Sequence, residues 1–379
     1  MEKNVVIATH KMLYGASQAL RDYLLDKKIE KLLFIAHPLV DQRTSSFYLY
    51  LRGKLIKKKI INRSYLFGLL EYSIDFFWTI WWVVVLKERY KLFVGVDPLN
   101  CLAGLLLRFF RRVDKVVFYS IDFSPVRFRN KLLNFIFHKI EVFCVMQADH
   151  IWNVSPRIAE GREKFLGVPQ NKFIQKVVPI GVWNKDIKKR DFKDIKKHQL
   201  LFAGHLLEKQ GVQLVLDSVP NIIKKIPDFK FVIVGGGEYK NVLKEKIKKL
   251  RIEKYVSMTG WIREREELDS MMSESACAIA VYKPEKEKIY NFTYYADPTK
   301  IKDYLGAGLP VILTDVSYNA KEIDKRKCGV VVKYSRIEIE KAIFSLMLDE
   351  RRLIDFRRNA LSYAKEFCWE KIFTKALKL

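Results

Sequence analysis

Unbroken runs of apolar, largely β-branched residues recur along this chain, each followed by a polar turn and a segment with helical spacing. NVVIA at 4–8 is followed by a helix after Gly15 and then by KLLFIA at 31–36. KLFVGV precedes PLNCLAGLLLRF, and KVVFYS precedes a long helical run over 130–146. DHIWNV leads into a helix starting near Ser155, and KVVPIG closes this half. Strands that are continuous rather than alternating suit a parallel sheet covered on both faces.

Residues 183–198, WNKDIKKRDFKDIKKH, are charged and poor in apolar positions, and read as an interdomain linker. Beyond them LLFAG leads to a helix whose positions Val212, Val215, Leu216, Val219, Ile222 and Ile223 share one face. FKFVIVGGG leads to a helix over 239–250, and YVSMTG, CAIAV, PVILTD and GVVV supply further strands. The pattern predicts an α/β protein of two doubly wound Rossmann-like domains facing a cleft, with ligands beyond the carboxyl ends of the strands. A chain of 379 residues fits two cores of similar size. The expected division is 1–182, linker 183–198 and 199–365, with a C-terminal helix in 366–379 returning to the first domain.

YYADPTKIKDYLGAGLPVILTD, residues 294–315, carries the densest local signal. Asp297 is a suitable helix cap, with Pro298 at the first helical position, where its missing N–H costs nothing. Ile301, Tyr304 and Leu305 recur at helical spacing, and Gly308 is placed to end the helix left-handed. The free amides of Thr299, Lys300 and Ile301 suit a phosphate, and the Lys300 ammonium adds charge there. Asp303 returns a carboxylate within reach of sugar hydroxyls. An ordinary capped helix in an α/β sheet accounts for the same residues.

Composition sharpens this picture at two points. Five scattered cysteines without a CxxC pair argue against a disulfide framework or a zinc site, and for a reducing compartment. The opening MEKNVVIATHK lacks a signal-peptide layout, which gives a cytoplasmic expectation. The formal charge of +26 points to anionic partners, although lysine-rich composition alone competes as its cause. No zinc-finger spacing, RNP-type aromatic box or KH-type clamp accompanies it, so nucleic acid is disfavoured. Arg52, Lys54, Lys57, Lys58, Lys59 and Arg63 stand beside the apolar stretch 65–86, which is long enough to span a bilayer. Glu71 and Asp75 within it oppose a span. The stretch reads as a helix with one face on the protein and Trp78, Trp81 and Trp82 toward a membrane interface, with an internal core helix as the alternative.

Candidate chemistry falls at strand ends. HKMLYGASQAL puts His10 and Gly15 after the first strand, His10 as a catalytic candidate and Gly15 in an acceptor-side loop. YSIDFSPVRF puts Asp122 at another strand end with Arg127 close behind, for catalysis or for loop capping. LLFAGHLLEKQG places Gly204 after a strand and Gly211 before a helix, with His205 and Lys209 as cations for a diphosphate; a plain βα turn would want the same glycines. VIVGGGE lacks the third glycine of a dinucleotide fingerprint, and the P-loop pattern is absent.

Taken together, FAGH…KQGVQLVLDS, FVIVGGGE, YVSMTGWI and DPTKIKDYLGAGLPVILTD resemble the donor half of the GT-B glycosyltransferases of family 4, the group 1 type. DHIWNVSPRI and VVPIGVW resemble the segments before the interdomain crossing there. The resemblance implies retaining sugar transfer from a nucleotide diphosphate sugar, with no metal at the diphosphate. Gly204 matches the glycine that approaches the donor. His205 stands at the family's arginine and Gln210 at its lysine, with Lys209 one place early and Lys300 as a substitute. Of the family's two glutamates, the ribose-binding one falls on Asp303. The one near the transferred sugar falls on Tyr295, which is no carboxylate, and Asp297 stands close by in its stead.

The combined expectation is a glycosyltransferase peripheral to the inner face of the cell membrane. It would move sugar from a UDP- or GDP-sugar to a lipid-linked or cell-envelope glycan, with no separate cofactor. Competing readings are a sugar-nucleotide epimerase or hydrolase on this fold, or a non-catalytic basic protein that binds nucleic acid or membrane.

Overall fold

A computed structural model describes residues 3–11, 14–38, 44–62, 69–187, 189–284 and 292–378. It divides into two compact units. Unit 1 holds Met1–Ile180, Tyr295–Asp297 and Trp369–Leu379, and unit 2 holds Gly181–Tyr294 and Pro298–Cys368.

In unit 1, β1 (Asn4–Lys11), α1 (Ala16–Asp26) and β2 (Lys31–Pro38) make the first parallel unit. An antiparallel hairpin, β3 (Thr44–Leu51) and β4 (Lys54–Asn62), extends the sheet from β2. The chain returns through α2 (Leu69–Val85) to the other side of β1 at β5 (Tyr90–Val96). From there α3 (Pro98–Phe109), β6 (Val113–Ser120), α4 (Lys131–Gln147), β7 (His150–Asn153), α5 (Pro156–Leu166) and β8 (Gln175–Val177) run outward. The strand order β4-β3-β2-β1-β5-β6-β7-β8 therefore reverses between β1 and β5, where a crevice opens beyond the carboxyl ends. Val6, Leu33, Phe93, Val116 and Phe118 fill the core.

The hairpin was not foreseen from the sequence. Its turn is Arg52-Gly53, both at positive φ (48° and 80°), the geometry of a two-residue primed turn that follows strand twist. The basic run thus lies on edge strand β4, where Lys54, Lys57, Lys58 and Lys59 are exposed. Arg63 and residues 65–68 lie outside the described residues. The rest of the apolar stretch is α2, with Trp82 buried, Trp78 half-buried and Trp81 58% exposed. Among the described residues no helix is long and apolar enough to cross a membrane.

Unit 2 contains β9 (Lys196–Ala203), α6 (Val212–Lys225), β10 (Lys230–Val234), α7 (Lys240–Leu250), β11 (Val256–Gly260) and α8 (Arg265–Glu274). They are followed by β12 (Ser275–Ala280), α9 (Phe292–Tyr295), whose last residue lies in unit 1, α10 (Thr299–Gly306) and β13 (Val311–Thr314). The unit closes with α11 (Ala320–Lys325), β14 (Gly329–Val332), α12 (Arg336–Met347) and α13 (Glu350–Ala364). All six strands are parallel, in the order β11-β10-β9-β12-β13-β14, so the switch point falls between β9 and β12. Leu200, Phe202, Val215, Phe231, Ile279 and Ile343 sit in its core. Residues 183–198 are not featureless: they form short turns at Asn184–Asp186 and Phe192–Asp194, and β9 has begun by Lys196.

The last helix, α14 (Trp369–Ala376), belongs to unit 1 and packs on α1. The Phe373 ring lies 5.6 Å from that of Tyr23 and stacks on Trp369, and the Tyr23 and Thr374 hydroxyls are 2.9 Å apart. Phe373 is fully buried. Phe373→Ala should therefore cost about 3–5 kcal/mol and lower the urea midpoint of the chain. An unchanged midpoint would mean that α14 contributes nothing to unit 1.

Candidate functional site

In unit 2 the site grows from the end of β9. The Tyr304 hydroxyl, on α10, accepts from the Ala203 N–H at 2.7 Å and fixes that end of the strand to the helix. Gly204 follows at φ +148°, and a Cβ there would stand 2.8 Å from the Lys300 Nζ. Its neighbour across the sheet, Gly235 at φ +129°, is pressed closer still: a Cβ would fall 1.9 Å from the Gly204 carbonyl oxygen. The Leu206 N–H donates to the Gly236 carbonyl at 2.8 Å, joining the β9–α6 and β10–α7 loops. The glycines of VIVGGGE thus serve backbone packing.

Lys300 donates to the Gln210 amide oxygen at 2.7 Å, and its ammonium lies 4.2 Å above the Phe202 ring. The place the resemblance gives to a lysine is therefore held by Gln210, and the charge arrives from α10 instead. Burial pulls the Lys300 pKa down to about 7. A neighbouring anion opposes that shift, so the position is suited to one. His205 is exposed, 6.0 Å from the Trp261 ring. Lys209 lies in the short turn Glu208–Gln210, where its carbonyl accepts from the Lys283 N–H at 2.9 Å.

The expected helix cap is corrected. Pro298 is the cap residue of α10, and the Asp297 carboxylate accepts instead from the Ile180 N–H at 2.9 Å, within unit 1. Thr299, Lys300 and Ile301 do form the first turn, with the Ile301 N–H bonded to the Pro298 carbonyl at 3.1 Å. Gly308 follows the helix end left-handed, at φ +72°. Asp303 meets a partner that the sequence did not reveal: Arg265, 2.9 Å away, which also holds Asp269 at 2.8 Å. Burial lifts the Asp303 carboxyl above its usual range, against the pull of Arg265.

Unit 1 gathers a second group at its own switch point. Nδ1 of His10 is 2.6 Å from Asp97 and Nε2 is 3.3 Å from Asp75. Asp75, buried on α2, also lies 2.9 Å from His37, whose Nε2 is 2.7 Å from the Thr79 hydroxyl. Asp97 caps α3, accepting from the Leu99 and Asn100 N–H groups at 3.0 and 3.1 Å. It does so at φ +78°, a conformation that costs a non-glycine residue about 1–3 kcal/mol and clusters at functional sites. Burial alone would raise its carboxyl, but His10 and the Asn100 amide hold it below the usual range. Asp122 pairs with Arg127 at 2.5 Å. Gly15 precedes α1 with extended backbone, its N–H donating to the Gln18 side chain at 2.9 Å.

Of these, His10, Asp97, Asp122 and Arg127 border a cavity of about 330 Å³, walled on another side by the inner face of α4. Glu141 on α4 also lines it, clasped by Arg162 at 2.8 Å and His138 at 3.2 Å. Tyr295 is buried against Phe123, with ring centroids 5.0 Å apart, and its carbonyl accepts from the Ser155 hydroxyl. Of the expected residues, then, Gly204 and Lys300 meet in unit 2, while His10 and Asp122 meet around the cavity of unit 1. Gly15 and Asp297 are placed by backbone contacts elsewhere in that unit.

Residues 184–367 match the family model for glycosyl transferases group 1. The chain is 28% identical over 215 residues to the uncharacterized glycosyltransferase MJ1059 of Methanocaldococcus jannaschii, covering 48% of this chain and 50% of that one. It is 22% identical over 173 residues to the poly(glycerol-phosphate) alpha-glucosyltransferase of Bacillus subtilis, covering 45% of this chain and 24% of the relative. The chain thus spans half the length of the first of these relatives and about a quarter of the second. Among solved structures, Anabaena Alr3699/HepE in complex with UDP superposes with a TM-score of 0.70 at 14% identity, covering 98% of each chain. Two α/β units with largely parallel sheets in these strand orders, superposing on such structures, show that the chain has the GT-B fold.

Proposed function

We propose that this chain transfers a glycosyl group, with retention, from a UDP- or GDP-linked sugar on unit 2 to a hydroxyl of a lipid-linked or other cell-envelope glycan acceptor on unit 1. The observation that carries the reading is the Lys300 ammonium, half-buried against the Phe202 ring at the Gly204 turn beside the switch point of the unit 2 sheet. A cation in so apolar a setting is suited to a diphosphate, whose charge grows as the sugar leaves. His205, Lys209 and the amides of Thr299 and Lys300 complete the anion site, the Ile301 N–H being taken by the Pro298 carbonyl. Asp303, oriented by Arg265, takes the ribose hydroxyls. The group 1 match, the UDP in Alr3699/HepE and the polymer named for the Bacillus subtilis relative support this assignment.

In the proposed step the bond from the sugar's anomeric carbon to the diphosphate oxygen breaks. The acceptor oxygen bonds to that carbon on the same face, and the acceptor's proton passes to the departing diphosphate. No protein nucleophile or metal takes part. His10, Asp122 and Asp297 are assigned to hydroxyl groups of the acceptor and transferred sugar. Work at the inner membrane surface belongs to the same reading, supported by the exposed lysines of β4.

Calorimetry with UDP and GDP tests the donor assignment. Asp303→Ala should cost about 1.5–3 kcal/mol of nucleotide affinity, the value of a hydrogen bond to a charged group. Unchanged affinity would remove Asp303 from the ribose site.

Binding should also be linked to protons. With its pKa near 7 in the free protein, Lys300 is mostly neutral at about pH 8, and a bound diphosphate recharges it. Nucleotide binding should then take up about one proton at that pH, read from heats in buffers of different ionisation enthalpy. Lys300→Met should abolish the uptake. No uptake by the native protein would separate Lys300 from the diphosphate.

Anionic liposomes should hold the protein at low salt and release it at high salt, each lysine near the surface contributing about 1 kcal/mol. Replacing Lys57, Lys58 and Lys59 by Glu should remove this binding. Failure to bind at low salt would refute the membrane assignment.

A further inference from the structure

The charged segment 183–198, which the sequence presents as a linker, becomes in unit 2 one wall of a second cavity. Lys189, Arg190 and Phe192 form that wall, and Ile354, Arg357, Arg358 and Leu361 of α13 face it. Ala307, at the end of α10, and Lys365, just past α13, complete the lining with Asp191 and Ser362. The volume is about 540 Å³, within the range of small-molecule sites.

This cavity lies at the opposite end of the sheet from the Gly204 turn. Arg357 donates to the carbonyls of Ser273, Ser275 and Ala276 at 2.9, 2.6 and 3.3 Å, where α8 ends and β12 begins. Gly204 follows the carboxyl end of β9, which runs parallel to β12. The six residues of β12, a length of about 20 Å, therefore separate the two regions.

The charge at the cavity is one-sided. Lys189, Arg190, Arg357, Arg358 and Lys365 are cationic, and Asp191 is the one acid among the described lining residues. Two further carboxylates stand beside them. Glu274 lies 3.1 Å from Arg190 and is shared with Lys196 at 2.9 Å, and Asp355 lies 3.3 Å from Arg358 at the surface. With both counted, the cations still outnumber the acids. Arg357 is 6% exposed and makes no ion pair among the described residues. Its three carbonyl partners fix the guanidinium plane, while its Nε–H makes no hydrogen bond among the described residues. Burial, to which the like charge of Arg190 adds, pulls its pKa down to about 10. Planar guanidinium forks held around one space match the geometry of a phosphate group.

We infer that this cavity binds a small phosphomonoester with an apolar body, at a site separate from the donor turn. The phosphate lies among Arg190, Arg357 and Arg358, and the body lies against Phe192, Ile354 and Leu361. Inorganic phosphate would leave that apolar part of the lining without contacts.

Calorimetry on the full-length chain tests this with phenyl phosphate and inorganic phosphate. Phenyl phosphate should bind one-to-one and roughly tenfold tighter than inorganic phosphate, because burial of its ring adds to the anion contacts. Arg358→Glu, at an exposed position, should weaken it roughly tenfold. Lys248→Glu, the same charge change at an exposed position of α7, should leave it unaltered. Ser362→Trp fills the exposed side of the cavity without changing charge, and should weaken binding at least as much as Arg358→Glu. Thermal melts check that each variant folds. Lys300→Met should keep the native affinity for phenyl phosphate. Loss of binding in Lys300→Met would place the ligand at the Gly204 turn and overturn the inference. Absence of binding to the native chain, indifference to Ser362→Trp, or equal weakening by Arg358→Glu and Lys248→Glu would also overturn it. Failure of UDP to bind would refute the donor assignment alone and leave this site standing.

Discussion

A lysine ammonium half-buried against an aromatic ring is the constraint around which the switch point of unit 2 is arranged. Phe202 lies beneath it, the Gln210 amide holds it, and the absence of a side chain at Gly204 leaves it room. Each of those positions is fixed by something further away. The Tyr304 hydroxyl ties β9 to α10, and the contact of Gly235 with the Gly204 carbonyl sets the height of the loop. In such surroundings charge interactions are stronger than in water, and an unmatched charge is correspondingly unfavourable. On the donor assignment proposed above, the same surroundings that lower the Lys300 pKa would strengthen its hold on a diphosphate.

Much of this architecture was legible in the chain. The parallel strands read directly, because residues such as Val5, Val6 and Ile7 are buried on both faces of a sheet and so cannot alternate with polar ones. The β3–β4 hairpin did not, because its turn, Arg52-Gly53, sits within a run of lysines that draws attention to charge. Almost every residue of β4 is exposed, so burial left no apolar rhythm to read. Asp75 was read as an objection to a membrane span. Its structural reason is that two histidines, His10 and His37, enclose it within the protein.

The site was legible where chemistry is local and obscure where it is not. An Asp-Pro pair announces a helix start, and the structure realises that signal fully at Asp97-Pro98, where the carboxylate accepts from two helix amides. At Asp297-Pro298 the same two letters yield a helix start without a capping carboxylate, because the Ile180 N–H claims it. The difference lies in a partner more than a hundred residues away, which no local pattern carries. Arg265 beside Asp303, and Asp75 beside His10, were hidden for the same reason. The substitution of Gln210 for a lysine, by contrast, was visible, and Lys300 was already the natural candidate to replace its charge.

The exposed lysines of β4 also bear on the solubility of the whole molecule. An eight-stranded open sheet ends there in a row of backbone groups ready to pair with another chain. Lysines along such a border make approach by a second, equally charged border unfavourable, and so keep the sheet from growing between molecules. A bilayer surface bearing negative charge meets no such opposition. Under the membrane assignment proposed above, one set of side chains would both repel its own kind and meet a lipid surface.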